Sequence, residues 1–170
     1  MFTLVIGGSG SGKSEYAERL VCSLEGKRIY IATMIPWDEE CLARIARHRS
    51  ARALRGFHTI ERYMNLGGLQ ISRDSNVLLE CLGNLTANEL YEEAGKGIPS
   101  VLEGIHRLSQ CCLNLTIVTN EVFSGGTEYE GDTLRYLHAL AEVNCKTAAL
   151  ADRVIEMTAG CPNFLKGKDK

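Results

Sequence analysis

The chain has 170 residues, of which 45% are hydrophobic, and a formal net charge of -2 from 19 basic and 21 acidic side chains. This length fits one domain, predicted over residues 1–170, that buries a sizeable core. Because the charges nearly balance, nothing draws the whole chain to nucleic acid or to an anionic membrane, so we expect neither partner.

Strand and helix patterns alternate along the chain. Short apolar runs predict strands at 2–6, 28–33, 57–61, 76–82, 115–120 and 153–158. Helical periodicity predicts helices at 13–25, 38–54, 86–94, 100–112 and 132–150. This alternation predicts an α/β fold, with a mostly parallel β-sheet and helices on both faces. The segment FLK near the end is a candidate partner for the last strand.

The stretch GGSGSGKS lies between the first predicted strand and the first predicted helix. Its glycines allow backbone N–H groups to surround phosphate oxygens, and the following helix N-terminus favours an anion. Lys13 can reach the β- and γ-phosphates of a bound nucleotide and is therefore a predicted catalytic residue. The motif and its place between a strand and a helix together predict a P-loop NTPase-like fold. The alternative, a flexible serine-glycine turn, would not require that position. The predicted phosphate-binding residues are Gly7, Gly8, Ser9, Gly10, Ser11, Gly12, Lys13 and Ser14.

A P-loop protein also needs a carboxylate near Mg²⁺ at the end of a neighbouring strand. Glu80, in VLLECL, is the first candidate, and it would hold the metal together with Ser14. Glu121, which follows the strand LTIVTN, is the second candidate. The alternative for Glu80 is a solvated side chain at a strand end.

The second predicted helix is unusually basic. Arg44, His48 and Arg52 are spaced four residues apart and so share one helix face. Their mutual repulsion favours an anionic partner, and phosphate is the obvious one; a solvated helix face is the alternative. Neighbouring arginines disfavour protonation of His48, which leaves a neutral imidazole able to attack phosphorus.

Seven cysteines occur without a Cys-x-x-Cys pair, and the first residues lack the basic segment of a signal peptide. We therefore expect reduced, mostly buried thiols in a cytoplasmic protein. No apolar run approaches membrane-spanning length, so no membrane insertion is expected.

These motifs together resemble the adenosylcobinamide kinase/adenosylcobinamide-phosphate guanylyltransferase family of cobalamin biosynthesis. The resemblance runs nearly end to end and rests on GGSGSGKSEYAE, YIAT, DEECLARIARHRSAR, HTIE, VLLECLGNL and VTNEV. The run Arg44-Ile-x-x-His48-Arg49, placed between YIAT and TIE, is far more specific than the P-loop.

The resemblance implies two activities on small-molecule substrates. One phosphorylates adenosylcobinamide from ATP or GTP, and the other transfers GMP from GTP to the resulting phosphate through a guanylylated histidine, which matches His48. It also implies a homotrimer. The nucleotide contacts it implies beyond the P-loop are Ile31, Ala32, Thr33, Arg49, Ser50, Ala51, Arg52, Glu61 and Glu80.

The second half of the chain departs from the family pattern. A proline usual after VTNEV is absent, and Tyr136 follows Arg135 where the family has aspartate. Two alternatives therefore stay open. One is a relative with a single activity or another phosphorylated acceptor, and the other is a non-catalytic, nucleotide-dependent regulatory module.

Overall fold

A computed structural model of the chain describes residues 1–36, 39–125 and 128–167. Within the second helix it describes the backbone, but not the side chains at positions 40, 41, 44, 47, 48 and 51. The predicted start of that helix at Asp38 lies outside the described residues.

Strands of the described chain form one seven-stranded sheet. They are β1 (Phe2–Gly7), β2 (Lys27–Ala32), β3 (Phe57–Glu61), β4 (Ser75–Glu80), β5 (Asn114–Asn120), β6 (Arg153–Thr158) and β7 (Cys161–Lys166). Their order is β3-β2-β4-β5-β1-β6-β7; every pairing is parallel except that β7 runs antiparallel to β6. The mostly parallel sheet and the pairing of FLK with the last predicted strand are confirmed.

Helices connect the parallel strands. They are α1 (Lys13–Cys22), α2 (Glu39–Leu54), α3 (Leu82–Tyr91), α4 (Ile98–Cys111) and α5 (Gly131–Leu150), with a short 3₁₀ helix at Leu66–Gly68. α1 ends before the predicted residue 25, because the chain turns there towards Gly26, whose φ is +102°. α3 begins four residues earlier than predicted, because the Cys81 sulfur caps it by accepting from the Asn84 N–H.

Alternation along the strands gives the sheet two apolar faces. Leu78 and Val118 belong to the cluster that packs against α1, whereas Leu79 and Ile117 belong to the cluster that packs against α3, α4 and α5. All four side chains are fully buried. Helices therefore cover both faces, as predicted, and the carboxyl ends of the strands are fixed between them.

The six cysteines described are free thiols. The expectation of mostly buried thiols is wrong for these six, because Cys111, Cys145 and Cys161 are exposed and the other three are half-buried. Within the described chain, no helix has the length and apolar character needed to cross a membrane.

Truncating a core leucine tests this packing. Leu79→Ala should lower the free energy of unfolding by about 2–5 kcal/mol, because Leu79 is fully buried and its removal leaves a cavity. Leu54→Ala is the matched control: Leu54 is 91% exposed, so its loss should cost less than about 0.5 kcal/mol. Urea unfolding measures both, and equal losses would contradict the assignment of the core.

Candidate functional site

The carboxyl ends of the parallel strands meet along one edge of the sheet. Ala32 pairs in register with Glu61 of β3 on one side and with Glu80 of β4 on the other. Glu80 pairs in turn with Val118 of β5, and the chain leaves β1 at Gly7 along the same edge. Because ligands of open α/β sheets bind outside this edge, the row of residues locates the candidate site.

The P-loop joins β1 to α1 at this edge. Gly10 and Gly12 have φ values of +70° and +86°, a backbone conformation that residues with a side chain rarely adopt. The Ser11 carbonyl accepts a hydrogen bond from the Gly160 N–H at 3.0 Å, so the turn between β6 and β7 supports the loop. Lys13 Nζ donates to the Gly8 carbonyl at 3.0 Å, which keeps the ammonium beside the loop backbone.

Glu80 is held by two hydroxyl groups. Ser14, at the start of α1, donates to Oε1, and Tyr30 of β2 donates to Oε2 at 2.9 Å. Burial, followed by the charge of Glu80, raises the pKa of Tyr30 well above its ordinary value. The tyrosine hydroxyl therefore stays protonated at neutral pH and remains a donor to the carboxylate.

Ser14 and Glu80 together suit a magnesium ion. Both offer hard oxygen ligands, and the hydrogen bond between them shows that the two oxygens lie within reach of one site. No cluster of three or more His, Cys, Asp or Glu side chains that could hold a metal occurs in the described part of the chain. This donor set fits an ion that takes its other ligands from phosphate and water.

Glu121, the second candidate carboxylate, is engaged by its own loop. Oε1 accepts from the N–H groups of Phe123 and Ser124 at 2.9 and 3.2 Å, and Oε2 accepts from the Ser124 hydroxyl at 2.7 Å. These hydrogen bonds lower the pKa of Glu121, and the one from the Ser124 hydroxyl has the largest effect. Of the two candidates, Glu80 is therefore the one that contacts the P-loop serine.

A cleft of about 610 Å³ opens beside Glu80, between α1 and α2, a volume typical of small-molecule sites. The described residues that line it are Lys13, Ser14, Glu15, Glu18, Tyr30, Ala32, Met34, Ile45, Arg52, Arg55, Glu61, Tyr63, Glu80, Cys81, Asn84, Val118 and Asn120. Three arginine or lysine side chains and four carboxylates face the cavity. The cleft therefore suits a ligand that carries both anionic groups and hydrogen-bonding groups.

Arg52 lies in the wall of this cleft and is only 6% exposed. Its guanidinium carbon is 3.7 Å from the centroid of the Tyr30 ring, and its Nε has no hydrogen-bond partner. The alternative of a solvated helix face is wrong for this residue. A buried guanidinium stacked on an aromatic ring gains cation–π attraction, but the ring accepts none of its in-plane N–H groups.

Two other basic side chains that the structure describes in this region form ion pairs. Arg49 forms an ion pair with Glu61 at 3.4 Å, and Arg55 forms one with Glu18. Ser50 is exposed. Carboxylates thus offset part of the repulsion in this region, where the sequence favoured phosphate as the anionic partner.

The side chains of Arg44, His48 and Ala51 lie outside the described residues. The backbone of α2 is described, and position 48 lies three residues after Ile45 and four before Arg52. Both of those residues line the cleft, so helical spacing places position 48 on the same face of the helix.

The three predicted contacts at the end of β2 differ in what they offer. Ile31 is fully buried in the core on the α3 side of the sheet, whereas Ala32 lines the cleft. Thr33 is fully buried, and its hydroxyl both donates to the Cys81 carbonyl and accepts from the Cys81 N–H at 2.8 Å. The side chains of Ile31 and Thr33 are therefore engaged within the protein.

Two residues outside the predicted set help to build the site. Tyr30 contacts both Glu80 and Arg52, and the period of two along β2 could have placed it on the cleft side with Ala32. Asn88 of α3 donates to the carbonyls of Thr33 at 2.8 Å and Tyr63 at 3.0 Å, and so ties two strand ends to one helix. No sequence pattern indicates that second role.

Comparison with known proteins decides the family. A model of the family described as cobinamide kinase / cobinamide phosphate guanyltransferase matches residues 3–165. The chain belongs to this family. The bifunctional adenosylcobalamin biosynthesis protein CobU of Escherichia coli is 32% identical over an alignment of 178 positions. The alignment covers 94% of this chain and 97% of that protein. CobP of Pseudomonas aeruginosa is 30% identical over 176 residues and 99% of both chains.

Membership in the cobinamide kinase / guanyltransferase family makes the chain an enzyme of the adenosylcobinamide kinase/adenosylcobinamide-phosphate guanylyltransferase type. The resemblance seen in the sequence is confirmed. The roles of individual site residues stay predictions.

Two solved structures of low identity support the fold. The flagellar accessory protein FlaH from Methanocaldococcus jannaschii has a TM-score of 0.53 at 13% identity, over 97% of this chain and 77% of FlaH. A prototypical ATPase from the type III secretion system of pathogenic bacteria has a TM-score of 0.52 at 10% identity, over 92% of this chain and 51% of that ATPase. At such identities only the α/β P-loop fold is shared, and that prediction is confirmed.

Gly7 should be sensitive to any side chain. A Cβ at this position would lie 2.5 Å from Ser11 Oγ and 2.7 Å from the Met157 carbonyl oxygen, so Gly7→Ala should lower the free energy of unfolding by about 1–3 kcal/mol. At Gly8 a Cβ would meet no atom within 4 Å, so Gly8→Ala should cost less than about 1 kcal/mol. Equal stabilities of the two variants in urea would show that the loop is not packed as described.

Proposed function

We propose that this enzyme uses one nucleotide cleft for two transfers. It phosphorylates adenosylcobinamide with ATP or GTP, and it transfers GMP from GTP to adenosylcobinamide phosphate. The observation that carries the proposal is Arg52, a buried guanidinium without a carboxylate partner among the described ion pairs, in the same cleft as Lys13 and the Ser14–Glu80 pair. Burying an unpaired cation is costly, and phosphate oxygens would offset that cost.

The P-loop would bind the triphosphate. Gly7 to Ser14 present backbone N–H groups at the N-terminus of α1, where the helix dipole favours negative charge. Lys13 would exchange its bond to the Gly8 carbonyl for phosphate oxygens. Ser14 and Glu80 would hold Mg²⁺, which neutralises charge on the triphosphate when bound.

His48 is the proposed nucleophile of guanylyl transfer. Its neutral imidazole nitrogen would attack the α-phosphorus of GTP, so that a P–N bond forms as the bond to pyrophosphate breaks. An oxygen of adenosylcobinamide phosphate would then attack the same phosphorus and displace the imidazole, which completes the transfer of GMP. Arg52, on the same helix face as position 48, would stabilise charge that develops on the phosphate oxygens.

Kinase activity would use the same loop. The hydroxyl of the aminopropanol group of adenosylcobinamide would attack the γ-phosphorus and lose its proton to water, and the bond to the nucleoside diphosphate would break. Lys13 and Arg52 would orient the transferred group, because phosphoryl transfer depends chiefly on positioning and on charge stabilisation.

We further propose that residues 1–170 work as a single nucleotide-binding domain and that three copies assemble, as the family resemblance implies. One sheet with an apolar cluster on each face supports the single domain. Sedimentation equilibrium gives the mass of the assembly directly.

Covalent labelling tests the proposed histidine intermediate. The protein incubated with Mg²⁺ and GTP labelled at the α-phosphate should retain acid-labile, alkali-stable label after denaturation. His48→Ala should lose the label, whereas His138→Ala, at an exposed position of α5 outside the cleft lining, should keep it. Lys13→Ala should lose the label because GTP no longer binds. Label on His48→Ala, or none on a wild type that binds GTP, would rule out this covalent step.

Arg52 should contribute directly to triphosphate affinity. Arg52→Ala should raise the Kd of GTP by about 10- to 100-fold, because hydrogen bonds to charged groups contribute about 1.5–3 kcal/mol. Arg107→Ala is the control, since Arg107 is an exposed residue of α4 paired with Glu103 outside the cleft. Calorimetry measures both, and an unchanged Kd for Arg52→Ala would remove this arginine from the phosphate site.

A further inference from the structure

One aromatic ring contacts both charged groups on which the proposed function depends. The Tyr30 hydroxyl donates to Glu80 Oε2 at 2.9 Å, and the Arg52 guanidinium carbon lies 3.7 Å from the centroid of the same ring. The carboxylate is therefore bound at the edge of the ring, and the guanidinium lies over its face.

We propose that Tyr30 is a positioning residue that keeps Glu80 available to the metal and Arg52 available to phosphate. This inference rests on the proposed function, because it assigns Tyr30 a role through those two groups and no contact with substrate.

The surroundings of Tyr30 leave its ring little freedom. The residue is 5% exposed and lies in β2, which pairs with β3 and β4 on either side. Phe57 of β3 packs edge-on against the ring, with centroids 6.1 Å apart and planes at 86°. The position of the ring is therefore set by the sheet and by an aromatic neighbour, independently of any ligand.

The hydrogen bond from Tyr30 also determines which oxygen of Glu80 faces the P-loop. With Oε2 bound to the tyrosine, Oε1 is the oxygen that accepts from Ser14. Two donors on different elements, β2 and α1, restrict rotation of the carboxylate. A carboxylate held in this way loses less conformational entropy when it binds a metal than one that rotates freely.

Contact with the Tyr30 ring also positions Arg52, the second of the two charged groups. Arg52 and Glu80 line one cleft, where a direct ion pair would consume both charges. None of the ion pairs formed between described residues includes Arg52 or Glu80. Cation–π attraction stabilises the guanidinium over the ring without using its in-plane N–H groups, and Nε has no hydrogen-bond partner.

Two substitutions separate the two contacts. Tyr30→Phe removes the hydroxyl and keeps a ring beneath Arg52, whereas Tyr30→Leu removes both. Tyr91→Phe is the matched control, because the Tyr91 hydroxyl donates to the Asp132 carbonyl at 2.6 Å outside the cleft lining. Urea unfolding establishes that each variant is folded before its binding is compared.

Binding of Mn²⁺ and of GTP gives two independent measurements. Electron paramagnetic resonance follows free Mn²⁺ during titration of protein saturated with the α,β-methylene analogue of GTP, and calorimetry in EDTA gives the metal-free Kd of GTP. Tyr30→Phe should weaken Mn²⁺ binding about 5- to 10-fold, less than for loss of a direct hydrogen bond to a charged ligand because Tyr30 acts through Glu80, with a metal-free Kd within about twofold of wild type. Tyr30→Leu should weaken Mn²⁺ binding and also raise the metal-free Kd of GTP by about 5- to 10-fold. Tyr91→Phe should match wild type in both.

The outcomes distinguish this inference from the proposed function. Unchanged or tighter Mn²⁺ binding in Tyr30→Phe, with a normal wild-type site, overturns the role of Tyr30 at Glu80 and leaves the proposed function standing. A metal-free Kd for Tyr30→Leu equal to that of Tyr30→Phe overturns the role at Arg52. A wild-type protein without nucleotide-dependent Mn²⁺ binding overturns the metal site of the proposed function, and the inference with it.

Discussion

Parallel pairing of β2 with both β3 and β4 brings the carboxylates of Glu61 and Glu80 to either side of Ala32. Side chains alternate between the faces of a strand, so a slip of one residue in β2 would turn Tyr30 into the opposite core and Ile31 towards the cleft. The register is fixed by burial, because Ile31 and Leu79 pack on the far side of the sheet. The chemistry at the strand ends thus depends on apolar contacts made by the residues immediately before them.

The charges of the cleft fall into two kinds. Arg49 with Glu61 is an exposed ion pair, of the sort that contributes little to stability and exchanges readily with solvent or ligand. Arg52 is different, because it is buried against the Tyr30 ring and forms no ion pair with a carboxylate among the described residues. A ligand carrying phosphate would therefore gain most from Arg52, whereas Arg49 would first have to leave Glu61.

Local signals explain what the sequence could predict. The P-loop and the parallel strands are each encoded within a few neighbouring residues, by glycine spacing or by an apolar run. The ends of the helices were less predictable, because a cap such as the Cys81 sulfur depends on local backbone geometry. The placement of Glu80 beside Ser14 followed from the rule that metal-binding carboxylates end neighbouring strands.

The contacts that sequence reasoning missed are all long-range. Tyr30 meets Glu80 across 50 positions of the chain, and Asn88 meets Thr33 across 55. The spacing of arginines in α2 gives their shared face, but it does not reveal that a tyrosine of the sheet lies beneath Arg52. Such partners become visible only when strand order and register are known.

The support of the P-loop by the turn after β6 has a consequence for how the protein is made on the ribosome. β1 is synthesised before both of its neighbours in the sheet, β5 and β6, and the Ser11 carbonyl accepts from the N–H of Gly160. The nascent chain must therefore carry β1 unpaired until β5 has emerged, and the P-loop lacks its support until Gly160 follows. A triphosphate can stabilise the finished site, but it has no assembled loop to bind while most of the chain is still being translated.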